Sequence, residues 1–394
     1  SGGEVETSRL DGGSSEASIT TIDESWSESE LGDYPHFMLK EIHEQPESLR
    51  QCIAGRILKG EGNGRLNGLD LTPKELQRIP HIRLLGCGTA LHACKVGRLA
   101  IERLARVPAL AHVASEFRYN DPVIDADALY FAVSQSGETA DTLSAVKEIQ
   151  LKGGRVMGVI NVVGSSIARQ CGRGVYIHSG PEQAVASTKA FTNMVASLVI
   201  FSLQIGRARS LTVAEGRTVV KALAKIPDQI QDYLDDPGPI DQAVQAVKDA
   251  RHVLFLGRGP SSPVASEGAL KLMEVAYIPC LSYPAGEMKH GPIALLEEGS
   301  PVVVIAPRDK FREKTFSNVQ ECRARGARII LIHEEGDTEF AEEADIAISV
   351  PATEDILSPL LTVLPLQLLA YQTGLELGCD VDKPRNLAKS VTVE

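Results

Sequence analysis

A short run of hydroxyl and amide side chains, SQSGET at residues 134–139, has the residue types and spacing that could bind an anion. Its donor side chains are Ser134, Gln135, Ser136 and Thr139. Gly137 would let the backbone approach a ligand closely, and the run lies between an apolar, β-prone segment (129–133) and a helical pattern. Free N–H groups at a helix start favour negative charge. A single hydroxyl here would usually only cap the helix, but three hydroxyls and a glutamine within six residues favour an anion site, which we call the hydroxyl loop (134–139).

A second group of candidates lies on one face of a predicted helix. In EGALKLMEVAYI, residues 267–278, the charged residues Glu267, Lys271 and Glu274 are spaced four and three positions apart and therefore share a side. Such a stripe on an arbitrary surface helix is usually solvated and pairs its own charges. The rest of this helix is largely apolar, which favours a charged face that lines a cleft.

The elements that must position these groups follow an alternating pattern of strands and helices. Residues 81–107 give an apolar strand, a Gly-x-Gly turn and a long helix without proline, and further strands are predicted at 129–133, 155–160 and 174–178. This alternation predicts right-handed crossovers and a largely parallel sheet, an α/β fold. Leu91 stands where a dinucleotide fingerprint needs its third glycine, so a nicotinamide site is excluded.

The same pattern begins again at His252, which indicates an internal duplication. The aligned positions are Gly257 with Gly86, Gly259 with Gly88, Pro307 with Ser134, Asp309 with Ser136, and Arg312 with Thr139. The second copy cannot bind phosphate through hydroxyls in this way, so it is free to supply other groups. Its corresponding region contains Glu267, Lys271, Glu274, Lys289 and His290. We therefore expect the chemistry to reside in the second copy.

Composition sets limits on the class of protein. With 394 residues, 43% of them hydrophobic, the chain has room for two buried cores, and no segment approaches the roughly 20 continuous apolar residues of a membrane helix. The seven cysteines are scattered and never form C-x-x-C, so neither a disulfide framework nor a zinc site is expected. Of the net charge of −12, residues 1–33 contribute −8 through nine acids and one arginine. No basic stripe points to nucleic acid.

The N-terminal segment, residues 1–33, is rich in Ser, Gly and acidic residues and is predicted to be mostly disordered. From residue 36 to 57 the pattern becomes helical. Pro46 must there lie at a kink or at the start of a new helix.

Several motifs together resemble those of one family, the glucosamine-6-phosphate synthases, which are glutamine–fructose-6-phosphate aminotransferases. The shared motifs are FMLKEIHEQP, CGT, SQSGETADTL, VASTKAFT, FLGRGP, EGALKLMEVAYI, GEMKHGPIALL and the terminal DKPRNLAKSVTVE. The resemblance covers about residues 35–394 and implies two tandem sugar-isomerase (SIS) domains, each a three-layer αβα, flavodoxin-like unit with a parallel sheet. The implied segments are a first SIS domain with its helical lead-in (34–235), a second SIS domain (236–380) and a C-terminal lid tail (381–394).

The resemblance also implies roles for the charged candidates. Glu274 would be the base that moves a proton between C1 and C2 of the sugar, in a catalytic set that includes Lys271 and Glu267. His290 would serve ring opening and would reach the active site of a neighbouring subunit, which makes a homodimer the smallest competent unit. Lys389, in the tail, would contact the substrate and could form a Schiff base with the open-chain ketone.

The same resemblance supplies contacts to the sugar and its phosphate. These are Cys87, Gly88, Thr89, Ser134, Gln135, Ser136, Thr139, Val185, Ser187 and Ala388. For Ser187 the sequence equally favours a helix N-cap, and both roles can hold together. Ala90 departs from the family, which usually has serine after CGT, so the sugar contact of that serine is not carried over to this sequence. No metal or cofactor is implied.

The implied reaction of the whole enzyme converts fructose 6-phosphate, with ammonia from a glutaminase domain, into glucosamine 6-phosphate for hexosamine synthesis. This chain begins at Ser1 and has no room for that domain, so it resembles the isomerase half, either cut from a longer protein or naturally short. Alone, it is expected to interconvert fructose 6-phosphate and glucose 6-phosphate slowly. The cytoplasm is its expected location.

Two alternatives remain open. One is another enzyme on the same fold, such as a sugar-phosphate deaminase or a plain ketose isomerase. The other is a non-catalytic sugar-phosphate sensor, which would keep the hydroxyl loop but would not need Glu274, His290 and Lys389 together.

Overall fold

The computed structural model of the protein describes residues 30–392. The disorder predicted for residues 1–33 concerns almost only positions outside this described part, so it stays a prediction. Two short helices begin the fold, α1 (Phe37–His43) and α2 (Gln45–Ile53). Pro46 lies in the first turn of α2, where its missing N–H costs no helical hydrogen bond, so this proline marks a new helix start rather than a kink.

A small antiparallel pair and one helix connect this lead-in to the first sheet. They are β1 (Ile57–Leu58), β2 (Asn63–Gly64) and α3 (Pro73–Arg78).

Five parallel strands form the first sheet. In chain order they are β3 (Ile82–Gly86), β4 (Ala109–Val113), β5 (Leu129–Ser134), β6 (Arg155–Ile160) and β7 (Gly174–Tyr176). The helices that flank them are α4 (Gly88–Ala105), α5 (Ala114–Phe117), α6 (Ala140–Leu151), α7 (Ser166–Cys171) and α8 (Lys189–Arg209). The β5 strand is buried at every position, as a strand covered on both faces must be.

Three helices then lead to a second sheet, which is again entirely parallel. The connecting helices are α9 (Val213–Leu223), α10 (Ile226–Asp235) and α11 (Ile240–Val247). The strands are β8 (Val253–Gly257), β9 (Cys280–Pro284), β10 (Pro301–Ala306), β11 (Arg328–Glu334) and β12 (Ile346–Val350). The remaining helices are α12 (Ser261–Ala276), α13 (Arg312–Arg323), α14 (Thr338–Ala341), α15 (Pro359–Thr362) and α16 (Leu364–Glu376), with 3₁₀ turns at Ala285–His290 and Pro292–Leu295.

The two sheets have the same strand order. The first reads β4-β3-β5-β6-β7 and the second β9-β8-β10-β11-β12, so the duplication inferred from the sequence is present in the topology. The order is that of flavodoxin-like folds, and the predicted α/β architecture is confirmed. In such sheets ligands bind outside the carboxyl ends of the strands where the order reverses, here between β3 and β5. The hydroxyl loop follows β5 at this point.

Helix α8 lies in the centre of the core. Contrary to the sequence expectation that no segment approaches a membrane helix, α8 is long and apolar enough to cross a membrane by length and hydropathy alone. However, 94% of its apolar window is buried inside the protein, as in a core helix. It packs along α4, and α4 also packs against α12 of the second half. This contact brings the start of α4 next to the charged face of α12.

Candidate active site

A pocket of about 260 Å³ lies at the switch point of the first sheet, between the hydroxyl loop, the start of α4, the charged face of α12 and the C-terminal tail. All the predicted site residues except Glu267 and His290 line it. Those that do are Cys87, Gly88, Thr89, Ser134, Gln135, Ser136, Thr139, Val185, Ser187, Lys271, Glu274, Ala388 and Lys389. Residues from several separate parts of the chain therefore converge on one cavity.

Hydrogen bonds within the hydroxyl loop stabilise its conformation. The Ser134 hydroxyl accepts a hydrogen bond from the Gly137 N–H at 3.0 Å, and its Oγ lies 3.3 Å from the Thr139 hydroxyl. The Ser136 hydroxyl accepts from the Glu138 N–H at 3.2 Å. Thr139 is the N-cap residue of α6 but makes no side-chain cap bond, so the capping alternative does not describe it.

Gly137 is required by the shape of this loop. Its φ is +66°, a conformation that side chains disfavour, and a Cβ at this position would collide with the Ser165 hydroxyl. The backbone can therefore turn toward the pocket only because this residue has no side chain.

The charged face of α12 meets the start of α4. Lys271 donates to Glu274 Oε2 at 2.7 Å and to the Thr89 hydroxyl at 3.1 Å. Glu267 is 0% exposed and accepts from Thr89 at 2.9 Å, so it lies beneath the pocket surface. Lys271 is also buried: desolvation lowers its pKa, but the charges of Glu274 and Glu267 outweigh it and raise the pKa above its ordinary value. Lys271 thus stays charged at the base of the cavity.

His92, a residue that the sequence did not single out, completes this cluster. Its Nδ1 lies 2.7 Å from Glu267 Oε2, so the ring donates to a fully buried carboxylate. Burial by itself would raise the pKa of Glu267, but the charge of Lys271 and the hydrogen bond from His92 lower it below the ordinary value. Glu267 therefore remains ionised and ties α4 to α12.

The tail enters the pocket through Lys389. Its Nζ donates to Glu182 Oε2 and to the Ala184 carbonyl, both at 2.7 Å. Burial would raise the pKa of Glu182, but Lys389 and further donors lower it to about 2. The same carboxylate accepts from the Ser187 hydroxyl at 2.7 Å and from the Thr188 N–H at 2.9 Å. Glu182 thus caps α8, while Ser187 is part of the pocket wall.

Further bonds fasten the tail over the cavity. The Asp382 carboxylate accepts from the first N–H groups of α1, and its carbonyl accepts from the Val185 N–H at 2.9 Å. The Arg385 N–H donates to the Tyr277 hydroxyl at 2.7 Å. The carbonyl of residue 391 accepts from the N–H of residue 140, in the first turn of α6, at 3.0 Å. The tail therefore covers the anion end of the pocket.

His290 is the one predicted catalytic residue that, within residues 30–392, neither lines this pocket nor hydrogen-bonds to a residue that does. It ends the 3₁₀ turn Ala285–His290, is exposed, and does not line the pocket of its own chain. Lys289 beside it pairs with Glu321 at 2.6 Å on the surface.

Sequence reasoning missed Glu182 and His92. Neither residue belongs to a local motif, because each forms its hydrogen bond with a residue far away in the sequence: Glu182 with Lys389, and His92 with Glu267. The signal that could have found Glu182 is an acid five residues before a Ser-Thr helix start.

Comparison with known proteins assigns the class. The SIS domain family matches residues 75–203 and 246–376. The chain therefore belongs to the SIS domain family. Glutamine–fructose-6-phosphate aminotransferases [isomerizing] are its curated relatives: that of Thermus thermophilus is 46% identical over 391 residues, 99% of this chain and 64% of the relative. That of Chlorobaculum tepidum is 46% identical over 376 residues, 95% of this chain and 61% of the relative.

Solved structures include one that is more than one third identical to this chain and is similar over almost its whole length. The C-terminal domain of glucosamine-fructose-6-phosphate aminotransferase from Francisella tularensis superimposes with a TM-score of 0.84 and 37% identity, covering 89% of this chain and 99% of that one. The chain thus spans less than two thirds of its curated relatives and corresponds to their C-terminal part. The predicted resemblance to the isomerase half is confirmed.

Proposed function

We propose that this chain binds fructose 6-phosphate and catalyses the isomerase part of glucosamine 6-phosphate synthesis. The observation that carries the proposal is the convergence of an anion-binding loop with Lys271, Glu274 and Lys389 in one pocket. A non-catalytic sensor would need the loop but not these three groups. The relatives with which this chain aligns over nearly its whole length are named as isomerizing aminotransferases.

The hydroxyl loop would hold the phosphate. Its hydroxyls and the N–H groups at the start of α6 supply donors without a lysine or arginine, and the helix start adds positive potential. With the phosphate fixed there, the length of the sugar sets where its carbonyl end lies. That end would face α12 and the tail.

Lys389 would act on the ketone. As a neutral amine its Nζ attacks C2, the carbonyl oxygen leaves as water, and a Schiff base forms that holds the sugar in its open-chain form. Hydrolysis returns the ketone, whereas ammonia from a glutaminase domain would displace the lysine and place nitrogen on C2.

Glu274 would move the proton. Once C2 is free of the lysine, Glu274 takes a proton from C1 and returns it to C2, while the O1–H proton passes to the oxygen or nitrogen on C2. The ketone then gives glucose 6-phosphate, and the ammonia-derived imine gives glucosamine 6-phosphate. Lys271, 2.7 Å from its carboxylate, would orient it and stabilise negative charge that develops on the substrate oxygen. Glu267 and His92 would hold Lys271 and Thr89 in place.

His290 and the partner domains complete the proposal. An exposed His290 that does not line the pocket of its own chain is compatible with a role in the pocket of a second subunit, so we propose a homodimer. The whole protein would include a glutaminase domain, act in hexosamine synthesis and reside in the cytoplasm. No part of the proposed mechanism uses a cofactor.

The test is an assay of both reactions on the purified chain. We expect slow formation of glucose 6-phosphate from fructose 6-phosphate, and glucosamine 6-phosphate only when ammonium is added. Glu274→Gln should lower kcat by about a thousandfold, within the range of general acid–base catalysis, while equilibrium binding of fructose 6-phosphate persists.

The matched control is Glu342→Gln, which removes the charge of a surface glutamate near α14 and should leave both rates unchanged. Absence of both products with wild-type protein at saturating substrate would refute the proposed function. Full activity of Glu274→Gln would refute the role of Glu274 alone.

A further inference from the structure

A buried carboxylate outside the pocket, Glu41 on α1, contacts the segment that holds Lys389. Glu41 is 2% exposed. Its Oε1 accepts hydrogen bonds from the backbone N–H groups of Gln183 and Ala184, the latter at 3.2 Å. The Ala184 carbonyl and the Glu182 carboxylate are the two acceptors of the Lys389 ammonium. The Glu41 carboxylate on α1 therefore holds the backbone of Gln183 and Ala184 in place, and this backbone in turn positions Lys389.

The second oxygen of Glu41 is buried and has no hydrogen-bond partner within residues 30–392. A buried carboxylate with an unsatisfied oxygen is much less costly as a neutral acid than as an anion. Burial and the charge of Glu182, opposed by Lys389, raise the pKa of Glu41 to about 8. The geometry and the electrostatics both favour a neutral Glu41 near neutral pH.

The charges that face Glu41 are already paired with one another. Lys389 forms an ion pair with Glu182 at 2.7 Å, and Glu44 pairs with both Lys189 of α8, at 2.6 Å, and Lys40 of α1, at 3.4 Å. The carboxylate of residue 382 is engaged by the N–H groups at the start of α1. Ionisation of Glu41 would therefore add one uncompensated negative charge to this cluster.

We propose that Glu41 is a positioning residue for Lys389 that works in its neutral form, and that its ionisation weakens turnover by placing a second anion beside the Lys389–Glu182 pair. A second anion favours the charged ammonium, which cannot attack a carbonyl. The inference rests on the proposed function, since only there must Lys389 become a neutral amine. Neutral Glu41 holds the backbone of Gln183 and Ala184 without disturbing that step.

The experiment compares the wild-type chain with Glu41→Gln across pH. Glutamine keeps an acceptor oxygen for the two backbone N–H groups but cannot ionise. The ratio of variant to wild-type kcat/KM for glucosamine 6-phosphate formation with added ammonium is expected to rise through a transition near pH 8, by about tenfold between about pH 7 and about pH 9.5. Glu47→Gln, an exposed glutamate on α2, is the control and should give a flat ratio.

A second measurement needs neither substrate nor a stable variant. The infrared C=O stretch of a protonated carboxylic acid should persist in the free wild-type protein at neutral pH and disappear through about pH 8. Loss of every such band by about pH 6, or a flat kcat/KM ratio in an active enzyme, overturns the inference alone. A wild-type chain that forms neither sugar product overturns the proposed function first, and the inference with it.

Discussion

The Nζ of Lys389 in the C-terminal tail lies 2.7 Å from Oε2 of Glu182, whose side chain is fully buried in the segment before α8. The same carboxylate accepts bonds from Ser187 and from the first turn of α8. A single buried acid therefore links the cover of the pocket to its wall and to the central core helix. Its removal should affect both stability and the geometry of the tail.

The contribution of Glu182 to stability should depend on pH in a defined direction. Burial opposes ionisation, but Lys389 and the other donors lower the pKa of Glu182 from 4.5 to about 2. A carboxyl group whose pKa is lowered in the folded state contributes stability that is fully present above pH 4.5 and is lost as the pH falls toward 2. At about 1.4 kcal/mol per unit of pKa shift, the lowering of the Glu182 pKa corresponds to about 3 kcal/mol of stability.

We therefore expect Glu182→Gln to lower the free energy of unfolding by about 3 kcal/mol at neutral pH, and by progressively less as the pH falls below about 4.5. Urea unfolding at a series of pH values measures this. Glu342→Gln, the surface control, should show no such trend. A loss that stays constant across the whole acid range would show that the ion pair is not its source.

Lys389 should form a covalent bond to the substrate. Treatment of the chain with fructose 6-phosphate and borohydride is expected to reduce the Schiff base to a stable amine, which mass spectrometry locates on Lys389. Lys389→Arg keeps the positive charge beside Glu182 but cannot become a neutral nucleophile. It should abolish the adduct and lower kcat by about a hundredfold.

Lys383→Arg is the matched control for this experiment, because Lys383 is a lysine of the same tail that does not line the pocket. It should leave trapping unchanged. An adduct that forms equally well in Lys389→Arg would place the reactive amine elsewhere.

Gly137 should tolerate alanine less well than another glycine with the same backbone conformation. Gly137 and Gly164 have φ values of +66° and +69°, but a Cβ at Gly164 meets nothing within 4 Å, whereas one at Gly137 collides with Ser165. Gly164→Ala should cost about 1 kcal/mol from backbone strain alone. Gly137→Ala should cost about 2–4 kcal/mol and also raise KM for fructose 6-phosphate, because the hydroxyl loop must move.

Thermal unfolding and steady-state kinetics on the two alanine variants measure this difference. The comparison separates the effect of conformation, which both share, from the effect of contact, which only one has. Equal losses of stability would mean that the collision with Ser165 is relieved at no cost.

His290 should act in the pocket of a second subunit. If so, mixed dimers of His290→Asn and Glu274→Gln contain one pocket with both natural residues, formed by Glu274 of one subunit and His290 of the other. We expect each variant alone to be inactive and the re-associated mixture to regain isomerase activity, at roughly a quarter of the wild-type value with random pairing. If the mixture is as inactive as its components, His290 does not act in the pocket of a second subunit.

The sequence by itself determined the local features of this protein. Strand and helix periodicity, the glycine turns and the repeated pattern after His252 are properties of neighbouring residues, and they predicted the parallel sheets and the duplication. The hydroxyl loop was also readable, because its four donors lie within six positions of one another at a strand end. The family motifs in the sequence also predicted the family and most of the residues that line the pocket.

Only the tertiary structure decided which buried groups are paired. Thr89 and Glu267 lie 178 positions apart, and Lys389 and Glu182 lie 207 apart, so no local pattern predicts that they touch. These pairs exist because α4 packs on α12 and because the tail folds back over the first sheet. Burial makes this pairing energetically important, because an ionised group removed from water is stable only next to an opposite charge and otherwise becomes neutral. For Glu182 the partner is present, and its pKa is lowered, whereas Glu41 has an oxygen left without a partner among the described residues, and its pKa is raised.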